Sequence, residues 1–191
     1  MTGRRCYASL SNKIKATDWK SAFILNHRVF VIDFTTKFMK PFSYVVYPGC
    51  ADWRHSEGFG SMYPPDLPED WQFAFYQSQF RCVCLDTGTW SSMDEASWVA
   101  LAADATGDFR FVLEEGPAGI PPFVRAALGD RLVSLAPDAS ARVAVNTQTD
   151  LKALAKRLQA ATLTEPVFLI YEPSAWARME QIESLIEILG I

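Results

Sequence analysis

Apolar and β-branched residues recur in short runs at Val29 to Phe34, Tyr44 to Tyr47, Cys82 to Asp86, Phe109 to Glu114, Arg142 to Asn146 and Val167 to Tyr171. Runs of this length and composition predict buried strands. Amphipathic patterns lie between the later ones. Asp66-Leu67-Pro68-Glu69 has the form of a capping box and opens a predicted helix to about Phe80, and Ser92-Met93-Asp94-Glu95 opens a second to about Ala105. Thr149 is placed to cap a third helix, whose Leu151, Leu154, Ala155 and Leu158 share one face. After Ser174, the positions Met179, Ile182, Leu185, Ile186 and Leu189 mark a fourth. Pro122 to Leu128, stopped by Gly129, makes a short helix, and Leu132 to Leu135 a further short strand. Strand alternating with helix specifies βαβ units on a parallel sheet, so the fold class is α/β. No such alternation precedes Val29. Residues 1–43 are therefore read as an N-terminal extension carrying one strand and the basic residues Arg4, Arg5, Lys13, Lys15 and Lys20. Residues 44–191 form the α/β domain, the whole being one structural domain.

Composition narrows the class. A chain of 191 residues suits one core, and 49% hydrophobic with 21% charged residues is the make-up of an ordered globular protein. The formal net charge of −4 supplies no field for phosphate backbones, so nucleic acid is not an expected partner. The apolar runs fall far short of the roughly 20 residues a membrane span needs, so no membrane role is expected. Cys6, Cys50, Cys82 and Cys84 are scattered and follow no secretory leader pattern, which points to reduced thiols and a cytoplasmic protein.

From Tyr44 onward the order of motifs resembles the YecE-like family, known as domain of unknown function 72. The carriers are the strand leading into Gly49-Cys50-Ala51-Asp52-Trp53, the turn Met62-Tyr63-Pro64-Pro65-Asp66-Leu67-Pro68, Phe75-Tyr76 before Phe80, and the strand end Val83-Cys84-Leu85-Asp86. Trp98, Phe109-Arg110-Phe111 and Ser174-Ala175-Trp176 follow in order. The resemblance implies a TIM-barrel-like sheet and no settled activity. It also shows departures. Where the family's second strand reads Val-Glu-Ile-Asn, this chain has Val83-Cys84-Leu85-Asp86; where its third strand ends in lysine, Glu114 stands. Asn146 replaces a glutamine at the end of the fourth strand, and Ile170-Tyr171-Glu172-Pro173 replaces Glu-Phe-Arg-His at the fifth. A pocket built for an anion is made acidic. A complete eight-unit barrel takes about 200 to 250 residues or more. Residues 44–191 leave room for roughly five βα units, an incomplete TIM-barrel-like parallel sheet from which the last three units are missing.

Loops at the carboxyl ends of parallel strands carry function in such folds. This makes Asp52, Asp86, Glu114, Asn146 and Glu172 the candidate pocket, with Trp53 and Trp90 as its flanks, each following a strand end. Oxygen ligands from converging acids suit Mg²⁺ or Mn²⁺, and acid/base use of Asp86 with Glu114 would need one carboxyl raised by like-charge crowding. Caps and solvated rims use the same residues without any chemistry. Cys82 and Cys84 share one strand face, and the reading as small buried hydrophobes outweighs a metal pair. Cys50 has only His55 near it in sequence to activate it as a nucleophile. No glycine-rich phosphate loop is present in strand-to-helix context.

The function this supports is a non-catalytic, degenerate YecE-like domain acting by binding or self-association, with a small polar ligand or a second copy of the chain as partner, and no cofactor or metal. The alternative is a small metal-assisted or acid/base enzyme using the strand-end carboxylates on a polar small molecule. Two physical expectations follow. Asp86→Asn and Glu114→Gln should be neutral or stabilising if the acids only repel one another. A barrel of about five strands cannot join its first strand to its last, so the strand Val29 to Phe34 should cover one open edge, with the C-terminal helix or a second copy at the other.

Overall fold

The sheet is organised around a strand that contains proline. Strand β3 (Val46–Ala51) runs through Pro48 and Gly49 and is central, with β4 (Cys82–Leu85) parallel on one side and β8 (Val167–Tyr171) parallel on the other. The computed structural model describes residues 22–25, 28–31, 42–54 and 62–191. The chain divides into two units, Met1–Met39 and Lys40–Ile191. In the first, β1 (Ala22–Leu25) and β2 (Arg28–Val31) pair antiparallel in a two-stranded ribbon of their own. Two strands thus lie where the sequence predicts one. The strand expected at Val29 to Phe34 overlaps β2, which bonds to β1, and its predicted end at Asp33 and Phe34 lies outside the described residues.

In the second unit, β3 is followed by α1 (Glu69–Gln79), β4 by α2 (Thr87–Ser91) and α3 (Glu95–Asp104), and β5 (Arg110–Glu114) by α4 (Pro122–Leu128). A single 3₁₀ turn at Gly129–Arg131 leads into β6 (Leu132–Leu135). Strand β7 (Arg142–Val145) is followed by α5 (Leu151–Gln159), and β8 by a 3₁₀ stretch and α6 (Met179–Leu189). Among the described residues, five of the six parallel strands have a helix after them, and only β6 passes straight to β7 through residues 136–141.

The strand order is β6-β5-β4-β3-β8-β7, all parallel, curled into a partial barrel. This is the cyclic order of a barrel opened between β6 and β7. The expectation that first and last strands cannot join is therefore corrected: β3 and β8 pair over Val46↔Val167 to Cys50↔Tyr171. What an eight-stranded ring has and this sheet lacks falls between β6 and β7, not at the end of the chain.

Local signals account for most element ends, with instructive exceptions. Gly49 lets β3 and β4 approach: a Cβ there would lie 2.0 Å from the Cys82 carbonyl oxygen, so only glycine fits. Helix α1 starts after Pro68 without a side-chain cap, correcting the role expected of Asp66. In α3 it is Asp94, not Ser92, that accepts the Ser97 N–H at 2.8 Å, and in α5 Asp150 replaces Thr149 as the cap. The helix-side core holds Trp98, Tyr76, Phe111, Leu113, Leu158, Leu169 and Ile182, all at most 1% exposed. The opposite face of the sheet has its own apolar cluster, Tyr47, Cys82, Cys84, Val112, Phe168 and Ile170, with no helix residue in it. Both thiols of the Cys82/Cys84 pair are thus packed as apolar groups.

Candidate functional site

The carboxyl ends of the strands hold the acids singled out above, and they are engaged in different ways. Asp52 follows β3 with φ of 63°, a left-handed conformation that Asp tolerates better than most residues. Its N–H donates to the Cys84 carbonyl at 3.0 Å, and its carboxylate accepts from Arg54 at 3.0 to 3.2 Å. The Arg54 guanidinium lies over the Trp53 ring, 5.0 Å from its centroid. Trp53 is 8% exposed and packs against Phe73, so its ring is part of the core beneath the mouth.

Asp86 ends β4 and accepts the Thr89 N–H at 2.7 Å, capping α2. Trp90 on that short helix is 3% exposed and donates its indole N–H to the Glu114 carbonyl at 2.9 Å. It braces β5 from below. Asn146 accepts the Gln148 N–H on its side-chain oxygen and donates its own N–H to the Thr149 hydroxyl, both at 2.9 Å, forming the turn into α5. Glu172 is exposed after β8, its backbone bonded to Val145 and Ala175.

Glu114 differs from the rest. Its carboxylate forms an ion pair with Nη1 of Arg142, which also reaches the Pro137 carbonyl. Glu114 ends β5 and Arg142 begins β7, so this pair spans the open side of the sheet, and its two side chains are 18% and 21% exposed. Cys84 lies in the same neighbourhood: burial pushes its thiol up to about 11 against the lowering effect of Arg142, with Glu114 and Asp86 pushing the same way as burial. Burial likewise pushes Cys50 up to about 12, and its N–H donates to the Tyr76 hydroxyl at 2.7 Å. Both thiols stay protonated at neutral pH, which gives neither the reactivity of a nucleophile. His55, the partner considered for Cys50, lies outside the described residues.

The arrangement brings Asp86, Glu114, Cys84 and Arg142 together and leaves Asp52 bound to Arg54. Among the described residues no group of three His, Cys, Asp or Glu side chains is spaced to hold a metal ion. Arg142 is the residue sequence reading passed over. It begins its strand, the end where no functional side chain is sought, and only the stagger of strands around the curled sheet carries it to the end of β5.

At the other end of the inner face a second charged cluster is closed off. Arg110 is 3% exposed, donates to the Asp108 carboxylate and the Asp130 carbonyl, and stacks 4.7 Å from the Phe42 centroid, while its Nε is buried without a partner. The Tyr47 hydroxyl and the Ser43 N–H also donate to Asp108. Burial works against that carboxylate, yet these hydrogen bonds and the guanidinium hold it below its usual range.

No helix among the described residues is long and apolar enough to cross a membrane. No curated protein and no solved structure matches the chain. Residues 47–116 match the family model described as protein of unknown function DUF72, which runs from β3 to just past β5 and covers the motifs from Gly49 to Glu114. Over that segment, somewhat more than a third of the chain, the protein is similar to the DUF72 family.

Proposed function

We propose that the protein is a non-catalytic member of this family that acts by binding, with the Glu114–Arg142 pair at the open side of the sheet as the centre of its ligand site. The pair supports this because it offers a carboxylate and a guanidinium side by side, both partly accessible, whereas Asp86 serves as a cap and Asp52 in a local ion pair. A small polar molecule carrying donor and acceptor groups can exchange with either partner, and Asp86 and Glu172 give the surrounding mouth an acidic bias toward cationic groups. Asp52, Asn146, Trp53 and Trp90 shape and brace the mouth.

Self-association belongs to the same reading. Strand β6 is an edge of four half-exposed residues, Leu132–Leu135, with neither the charge nor the proline that commonly protects such edges. A second copy pairing there would give a homodimer.

A thermal-shift screen of amines, amino acids, polyols and carboxylates tests the site. The expected result is a compound that raises the Tm of the wild type and loses its effect in Glu114→Gln and Arg142→Met. Stabilisation by Mg²⁺ or Mn²⁺ that disappears in Asp86→Asn would overturn the non-catalytic reading in favour of the metal-assisted enzyme. Light scattering at about 100 μM tests the dimer, which the mass of a single chain would refute.

A further inference from the structure

The outer surface carries a groove unrelated to the mouth. It lies between α1 and α3, has a volume near 330 Å³, and is lined by Asp70, Trp71, Phe73, Ala74 and Asp104. Trp71 is 65% exposed. A tryptophan left this open on a helix whose Phe73 and Tyr76 are buried is a large apolar surface that no described residue covers. Helix α3 presents Ala96, Val99, Ala100 and Ala103, all exposed and at i, i+3, i+4 and i+7, with Val99 at 55%. That spacing makes a second apolar stripe, opposite the stripe of Trp98 and Leu101 that faces the core.

The charge on these helices is one-sided. Helix α1 carries Glu69 and Asp70, α3 carries Glu95 and Asp104, and neither contains a lysine or arginine. By contrast α5 carries Lys152, Lys156 and Arg157 and no acid. A groove between two helices that is flanked by an exposed tryptophan suits an inserted amphipathic helix, and an acidic rim selects a cationic one while repelling an anionic membrane or nucleic acid. A second copy using this same face would set acid against acid.

We propose that the α1–α3 groove docks a basic amphipathic helix of a partner protein, its apolar face on Trp71 and Ala74 and its lysines or arginines opposite Asp70 and Asp104. Exposed tryptophans of this kind are typical anchors of protein interfaces.

The test is fluorescence anisotropy with the full chain and a short fluorescein-labelled leucine–lysine amphipathic helix, with a leucine–glutamate helix as control. The lysine peptide is expected to bind, more weakly as salt rises, and the glutamate peptide not to bind. Trp71→Ala should weaken binding roughly tenfold or more. Asp70→Asn with Asp104→Asn should weaken it to a similar extent and flatten the salt dependence. Because all three positions are exposed, the variants should keep the wild-type circular dichroism and Tm. Glu183→Gln with Glu187→Gln on α6 should leave binding unchanged. No binding of the lysine peptide below about 100 μM, an undiminished affinity in Trp71→Ala, or an equal loss in the α6 variant would overturn the proposal. A concentration-dependent mass abolished by Trp71→Ala would assign the groove to a second copy instead.

Discussion

The two ends of the inner sheet face carry the same chemistry, an arginine paired with a carboxylate, in opposite states. At the amino end Arg110 and Asp108 are walled in by Phe42 and Tyr47, with side chains 4% and 14% exposed. At the carboxyl end Glu114 and Arg142 stand partly in solvent across the gap between β5 and β7. Taking charges out of water is costly, and removing one partner of a buried pair leaves the other uncompensated. A pair in contact with water loses little when broken. The difference separates a structural plug from an accessible, exchangeable site within one sheet.

The sharpest test of this contrast compares two arginines. Arg110→Ala should lower the unfolding free energy by about 3–5 kcal/mol in urea titrations, since Asp108 stays behind with its charge stranded. Arg142→Ala should cost about 1 kcal/mol or less. Equal losses would erase the distinction between plug and site.

The cap at Asp86 comes next in size. Asp86→Ala should cost about 1 kcal/mol by removing the acceptor at the start of α2, whereas Asp86→Asn should be close to neutral, because asparagine caps nearly as well. Glu114→Gln is now expected to be mildly destabilising. The idea that the strand-end acids only repel one another gives way to the Arg142 pairing, and a rise in Tm for Glu114→Gln would restore it.

Acid should act on the amino-end pair. Asp108 is held below its usual range, so its contribution is present at neutral pH and is lost as the pH falls below the ordinary aspartate value of about 3.9 and through the folded-state value. Urea midpoints measured down the acid limb should fall in the wild type and flatten in Asp108→Asn. The thiols bring the opposite sign. Cys84 at about 11 and Cys50 at about 12 contribute stability below the ordinary thiol value of about 8.5, and it is lost as the pH rises through the folded values. The smallest expected effect is in labelling: iodoacetamide at about pH 8 should leave both unmodified in the native state and modify them in urea. Fast native labelling of Cys84 would mean that the mouth opens further than its 2% exposure indicates.

Much of the fold was written locally. The runs at 82–86, 109–114 and 167–171 became β4, β5 and β8 because a strand buried on both faces must be apolar throughout. The third and fourth helices followed their apolar stripes, and the proline–glycine bracket around 122–129 ended α4 where expected. Strand β3 runs on to Ala51, past the Tyr47 at which its apolar run predicts an end. Pro48 argues against a central strand, and only the loss of a single donor, with its carbonyl still accepting the Arg81 N–H, makes it tolerable there. The caps moved by one or two residues, from Ser92 to Asp94 and from Thr149 to Asp150, since neighbouring polar side chains compete for the same orphan N–H groups.

The sequence by itself determined the parallel α/β class, the strand-end positions of Asp52, Asp86, Glu114, Asn146 and Glu172, and the family motifs from Gly49 to Glu114, since each rests on a period or a turn a few residues long. Tertiary structure alone decided that β8 returns to β3, that the break falls between β6 and β7, and that Arg142 meets Glu114 across it. Those outcomes depend on curl and stagger accumulated over six strands, a long-range quantity that no local window of residues encodes.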